Sequence, residues 1–194
     1  MMGNWEDFSS CDKMRYHTEN ASGSFYCDEQ GMLTYFETAE KNQLHQAPFG
    51  YRDSGMKNSM RMLTIPEGIR IIGTDRGHLR DLIVVEKLVL PTTLEKLEAD
   101  TLSGCLIMDM ALPASLREIG PGALMCNYIH VLRIPQGMPH SKYLDWGQQK
   151  AEDKLTINGR QFKETIINTL IVPKGYPYKD LMLETKINNI VYSD

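Results

Sequence analysis

The phrase "LPTTLEKLEADTL" at 90–102 returns 22 residues later as "LPASLREIGPGAL" at 112–124. A phrase recurring at a fixed period constrains the fold strongly, because one repeat cannot bury its own apolar face and must stack on its neighbours. Proline marks the period. Pro66, Pro91, Pro113 and Pro135 are separated by 25, 22 and 22 residues (91−66, 113−91, 135−113). Pro173 follows after 38, which divides into one repeat of 22 and an insertion of 16.

Counting back from each proline exposes the register. One residue before stand Ile65, Leu90, Leu112, Ile134 and Val172. Three before stand Leu63, Leu88, Met110, Leu132 and Leu170, and six before stand Met60, Val85, Ile107, Ile129 and Ile167. All fifteen are apolar, where a chain with 42% hydrophobic residues would place about six by chance. The third position after proline holds Ile69, Leu94, Leu116, Met138 and Tyr176. The sixth holds Ile72, Leu97 and Ile119, then fails at Ser141 and Lys179. Gly73 and Gly120 follow that position, where a chain turning a corner wants freedom in φ.

Positions one and three before proline alternate as a strand does, and proline, which cannot donate to a ladder, ends that strand. Residues three and six beyond it then pack inward from the opposite side of a coil. The expected fold is a β-rich repeat solenoid of about five coils of ~22 residues. Leu88, Met110 and Leu132 should form one buried column.

The phrases "LTIPEGIRIIG", "LVLPTTLEKLEADTLSGC" and "LRIPQG" resemble the BspA-like leucine-rich repeats of bacteria. Ala123-Leu124 matches that family's Ala-Phe step and Cys105 its cysteine, whereas Thr101-Leu102 departs mildly and "TDRGHLRD" departs strongly. The likeness covers 60–138 well and 164–178 weakly. It implies a right-handed leucine-rich-repeat coil with a cap at each end, and a scaffold used in adhesion or protein–protein interaction rather than catalysis.

This register divides the chain into an N-terminal flank or cap (1–58), the repeats (59–138), an insertion (139–165), and a last repeat with a C-terminal cap (166–194). In the flank, "GSFYCDEQGMLTYFET" reads as a hairpin turning at Asp28–Gly31. The polar stretch at 41–59 reads as a loop. In the insertion, Asn158-Gly159 within "KLTINGRQF" signals a type I′ hairpin. The tail "DLMLETKINNIVYSD" reads as helix or strand closing the coil.

Net charge of −4 argues against a surface built for nucleic acid, which needs concentrated Lys and Arg. No apolar run approaches the ~18 residues of a membrane span. The start "MMGNWEDFSSCDK" has no basic or apolar signal region, so a full-length chain would be cytoplasmic, and one trimmed of a signal would be secreted or on the cell surface. Cys105 and Cys126 fall near one repeat phase and read as small buried hydrophobes in successive coils. Cys11 and Cys27 could bridge in an exported protein. The five histidines form no HxH or HExxH, and no serine sits in GxSxG. No metal, cofactor or enzymatic constellation is expected. "GTDRGHLRD" at 73–81 is a charged loop that reads as a solvated turn or, less simply, a ligand site.

The remaining signal is on the outside. Two before proline stand Thr64, Val89, Ala111, Arg133 and Ile171, and four before stand Met62, Lys87, Asp109, Val131 and Thr169. Several are apolar, unusual for a solvated face. A binding surface is expected on these columns, centred on Lys87, Val89, Asp109, Val131 and Arg133, for a protein or peptide partner. The competing readings are a cytoplasmic regulatory or structural scaffold that self-associates, and a ligand-binding protein or enzyme that uses 139–165.

Overall fold

The computed structural model describes residues 16–42, 59–73, 79–139, 141–143, 155–157 and 161–194. Three strands come first: β1 (Tyr16–Asn20), β2 (Gly23–Cys27) and β3 (Met32–Thr38). A 3-10 turn at Glu40–Asn42 follows. Long and short strands then alternate: β4 (Ser59–Thr64), β5 (Ile71–Ile72), β6 (Ile83–Val89), β7 (Lys96–Leu97), β8 (Leu106–Ala111), β9 (Glu118–Ile119) and β10 (Tyr128–Arg133). The chain closes with β11 (Ser141–Tyr143), β12 (Leu155–Ile157), β13 (Ile166–Pro173), the helix α1 (Tyr178–Leu181) and β14 (Lys186–Ser193).

The alternation builds a β-solenoid of about five turns with almost no helix. Its long strands form a six-stranded parallel sheet in the order β14-β13-β10-β8-β6-β4, and the short ones join the N-terminal strands in an eight-stranded sheet, β1-β2-β3-β5-β7-β9-β12-β11. The core lies between them. Leu63 pairs with Leu88, Leu88 with Met110, Met110 with Leu132 and Leu132 with Leu170, and all five side chains are fully buried. The residues one before and three after each proline are buried as well. From the far side the column Leu33, Ile72, Leu97 and Ile119 closes the core. Burying each such aliphatic contributes about 1.5–3 kcal/mol.

Three details differ from the sequence reading. The buried residue six before Pro91 is not Val85 but Val84, which pairs with Met60 and Ile107. β6 carries an extra residue before Lys87, a bulge that shifts the count by one. Gly120 does not have a positive φ; a Cβ there would lie 2.6 Å from the Ala99 nitrogen, so close backbone approach excludes a side chain. The sixth-position column does not fail after Pro135: β12 pairs in parallel with β9, bringing Ile157 opposite Ile119, 22 residues (6 + 16) past the proline. β12 lies between β9 and β11, parallel to both, and from Gln161 the chain turns toward β13. Asn158-Gly159 itself lies outside the described residues, as do Cys11, the loop at 43–58 and residues 74–78 of the charged loop.

The expected turn at Asp28–Gly31 is present. β2 and β3 are antiparallel, and the Asp28 carboxylate accepts from the Gln30 and Met32 N–H groups. The tail supplies both a helix and a strand, and β14 extends the long sheet by a sixth rung in register with β13.

Corners are held by a backbone conformation and by buried polar side chains. Asp81, Gly104, Cys126, Glu164 and Glu184 each sit two residues before a long strand with φ between 54° and 71°. Asn127 in the corner before β10 is buried; its Nδ2 donates to the carbonyls of Leu102 (2.8 Å) and Leu124 (3.0 Å), and its Oδ1 accepts from the Cys105 N–H (2.7 Å). Buried backbone groups at a corner have no ladder partner, so a side chain must supply one.

Candidate functional site: the outer face of the long sheet

The long strands β4, β8, β10 and β13 read inward, out, out, inward from six to three residues before their prolines, as the burial of Ile107–Met110 and Ile129–Leu132 illustrates. Two consecutive side chains therefore reach the outer face where strict alternation gives one. The columns two and four before proline are outside, as expected. Lys87 is exposed, and Val89, Asp109, Val131 and Arg133 are half-buried on the adjacent strands β6, β8 and β10. Val131 lies opposite Asp109, and Arg133 opposite Ala111. The Arg133 guanidinium is joined to the Asp109 carboxylate by a hydrogen-bonded ion pair.

Sequence reasoning missed the column five before proline: Arg61, Met108, His130 and Asn168, with Glu86 set by the bulge in β6. Arg61 reaches Glu86 at 3.3 Å, and the Asn168 amide is 3.4 Å from His130 Nδ1. A row further out was missed too. Ile83, Leu106, Tyr128 and Ile166 pair in succession across the sheet, and Tyr128 (39%) and Ile166 (37%) are exposed. Among the described residues five large apolar side chains are exposed, and four of them, Tyr128, Ile166, Val191 and Tyr192, are on this sheet, the last in register with the inward Val172 rather than with the outer columns.

Among the described residues the opposite sheet holds none of the exposed large apolar side chains. Arg70 grips Glu95 through two nitrogen–oxygen contacts of 3.0 and 2.8 Å, and Lys96 lies 3.5 Å from Glu98 and 3.4 Å from Glu118. Glu67 accepts from the Thr92 and Thr93 N–H groups, and these bonds hold its carboxyl below the usual carboxylate range. Charges matched to neighbours one coil away leave a solvated, internally satisfied surface.

The thiols offer no reactive centre among the described residues. Burial pushes the Cys105 thiol up to about 12. Its neighbour in the next coil is Asn127, not Cys126. Cys126 is exposed on the left-handed corner, against the expectation of a buried one; partial desolvation and then the Glu164 carboxylate raise its pKa, keeping it a protonated thiol at neutral pH. No group of three or more His, Cys, Asp or Glu among the described residues comes together in a way that could hold a metal ion. A concavity of about 370 Å³ beside the β2–β3 turn is lined by Asp28, Glu67 and Arg70, all engaged with neighbours as described. No described helix is long and apolar enough to cross a membrane.

Comparison with known proteins finds no matching family model, no similar curated protein and no similar solved structure.

Proposed function

We propose that the chain is a non-enzymatic interaction or adhesion module, a short leucine-rich-repeat coil of the BspA-like kind that offers the outer face of its long sheet to a protein or peptide. The observation carrying this reading is the contrast between the two sheets. The short strands of one sheet are joined by the Arg70–Glu95 and Lys96–Glu118 ion pairs; the other carries Arg61–Glu86 and Asp109–Arg133 and holds most of the exposed large apolar side chains. Interfaces combine apolar and aromatic contact with a few oriented charges, as Tyr128, Val131, Ile166 and Arg133 do here. Parallel strands about 4.8 Å apart make the surface stiff, so little ordering is required on binding. With Arg133 neutralised by Asp109, the face suits a protein better than a polyanion. On this reading the strands at 16–42 form part of the N-terminal cap and β14 is the last rung.

The test is affinity capture with the unmodified chain, with Val131→Glu/Arg133→Glu, and with Lys96→Glu/Arg117→Glu on the charged sheet. A partner kept by the last and lost by the first supports the reading. A partner held equally by all three, with circular dichroism unchanged, moves the site off this face.

A further inference from the structure

The two edges of the long sheet are treated differently. At the β4 edge, side chains from the N-terminal segment satisfy the outward backbone. The Met62 N–H donates to Asn42 Oδ1 and the Met62 carbonyl accepts from Asn42 Nδ2 (3.2 and 2.6 Å). The Thr64 N–H donates to Ser22 Oγ and its carbonyl accepts from Asn20 Nδ2 (both 2.8 Å). That edge has no room for another strand. At the other edge, among the described residues, β14 is hydrogen-bonded to β13 on one side only.

β14 is also incompletely buried. Ile187 and Ile190 pair with Ile167 and Leu170, which are fully buried, yet both remain only partly buried. Val191 is 43% and Tyr192 54% exposed. Edge strands are usually blunted by charge, proline or a bulge. β14 is eight residues long, with Lys186 as its only charge, no proline, and an unbroken register along β13 from Thr169 to Pro173.

We infer that β14 is a self-association edge, at which a second copy of this chain adds its own β14 antiparallel about a two-fold axis through Ile190. The closed β4 edge excludes head-to-tail addition along the sheet, leaving a self-complementary contact. The sequence suits that symmetry. Pairing about Ile190 sets Asn189 opposite Val191, and Lys186 opposite Asp194 of the second copy, a solvated carboxylate that within its own chain lies 2.6 Å from Lys174. A two-fold axis perpendicular to the sheet keeps inner faces together, so Ile190 meets Ile190 and the two open core ends cover each other. This goes beyond the proposed partner face and does not depend on it.

The test is size-exclusion chromatography with light scattering on the 194-residue chain, with amide exchange in β14 read at low and high protein concentration. The expected result is a species of twice the 22.1 kDa chain mass, with exchange at Ile190 and Tyr192 slowing as concentration rises. Asn189→Lys/Val191→Lys, at two exposed positions, opposes lysine to lysine across the seam and should yield monomer with an unchanged circular dichroism spectrum. A monomer at every concentration, a mass that keeps growing with concentration, exchange independent of concentration, or a dimer surviving in the lysine variant would each overturn the inference.

Discussion

Asn127 gives the sharpest test of how the corners are held. Asn127→Ala removes the acceptor for the Cys105 N–H and the donor for the Leu102 carbonyl, while the Leu124 carbonyl keeps the Thr165 hydroxyl at 2.6 Å. Two buried backbone groups are thus orphaned, at about 1–3 kcal/mol each. The expected loss is about 2–6 kcal/mol, toward the lower end if a water refills the space, against a total stability of about 5–15 kcal/mol. Asn189→Ala on the exposed rung should stay within about 0.5 kcal/mol. Asn127→Asp adds a sign that packing alone would not produce. It keeps the acceptor but turns a carboxylate toward two carbonyls, raising the pKa of the introduced carboxyl in the folded state. A folded pKa above the unfolded one means the folded chain binds more protons, so stability falls as pH rises through the folded value. Urea midpoints at about pH 4 and pH 8 should therefore diverge for Asn127→Asp and not for Asn127→Ala, beyond any drift of the unmodified chain. A loss under about 1 kcal/mol for the alanine variant, or an aspartate variant indifferent to pH, would refute this account of the corner.

Leu112→Ala should cost about 2–5 kcal/mol and Val89→Ala under about 1, measured by urea melts; equal losses would mean the outer face is covered. Gly120→Ala, whose Cβ would strike the Glu98–Ala99 backbone, should lower the melting temperature more than Gly137→Ala, which meets nothing within 4 Å and bears only the strain of a φ of 79°. Burial raises both the Cys105 and Tyr176 pKa values to about 12. Both groups therefore contribute stability that is present below their unfolded pKa values, near 9 and 10, and is lost as pH rises toward 12; alkaline titration by circular dichroism should show it, and Cys105→Ala should shrink it. In native protein Cys126 should react with a thiol reagent well before Cys105, with mass spectrometry after partial labelling as the readout.

The residues legible in the sequence are those tied to proline by short, rigid counts. A proline closes each long strand from β4 to β13, so one and three residues before it are inward in those coils, and Leu88, Met110 and Leu132 stack as the spacing requires. Legibility decays with distance from that mark. At six residues back the count crosses the bulge in β6 and selects Val85 where Val84 is buried, because two adjacent valines look alike to a hydrophobic pattern. Ile157 was hidden because 16 inserted residues separate it from its proline. Asn127 carries no apolar signal at all; its role follows from which backbone groups the neighbouring coils leave unpaired. The five predicted surface residues do fall on three adjacent strands, but the histidine and methionine beside them were missed because alternation was assumed where two side chains point outward together.

That doubled outward position gives the long sheet its character. A strictly alternating strand of six residues shows three side chains to solvent, and the period of two leaves no freedom in where they fall. Placing two consecutive residues outward between the inward pairs of β8 and β10 puts Met108 beside Asp109 and His130 beside Val131, so each rung carries a polar and an apolar group side by side. Stacking the rungs in parallel register then turns one local irregularity into continuous columns, and any change at one position of the repeat alters a stripe rather than a point. The short strands β5, β7 and β9, with two residues each, have no room for such a pair; their outward positions at Lys96 and Glu118 are taken up by the ion pair that joins one coil to the next. The long sheet thus has the room for mixed chemistry that the proposed partner surface requires.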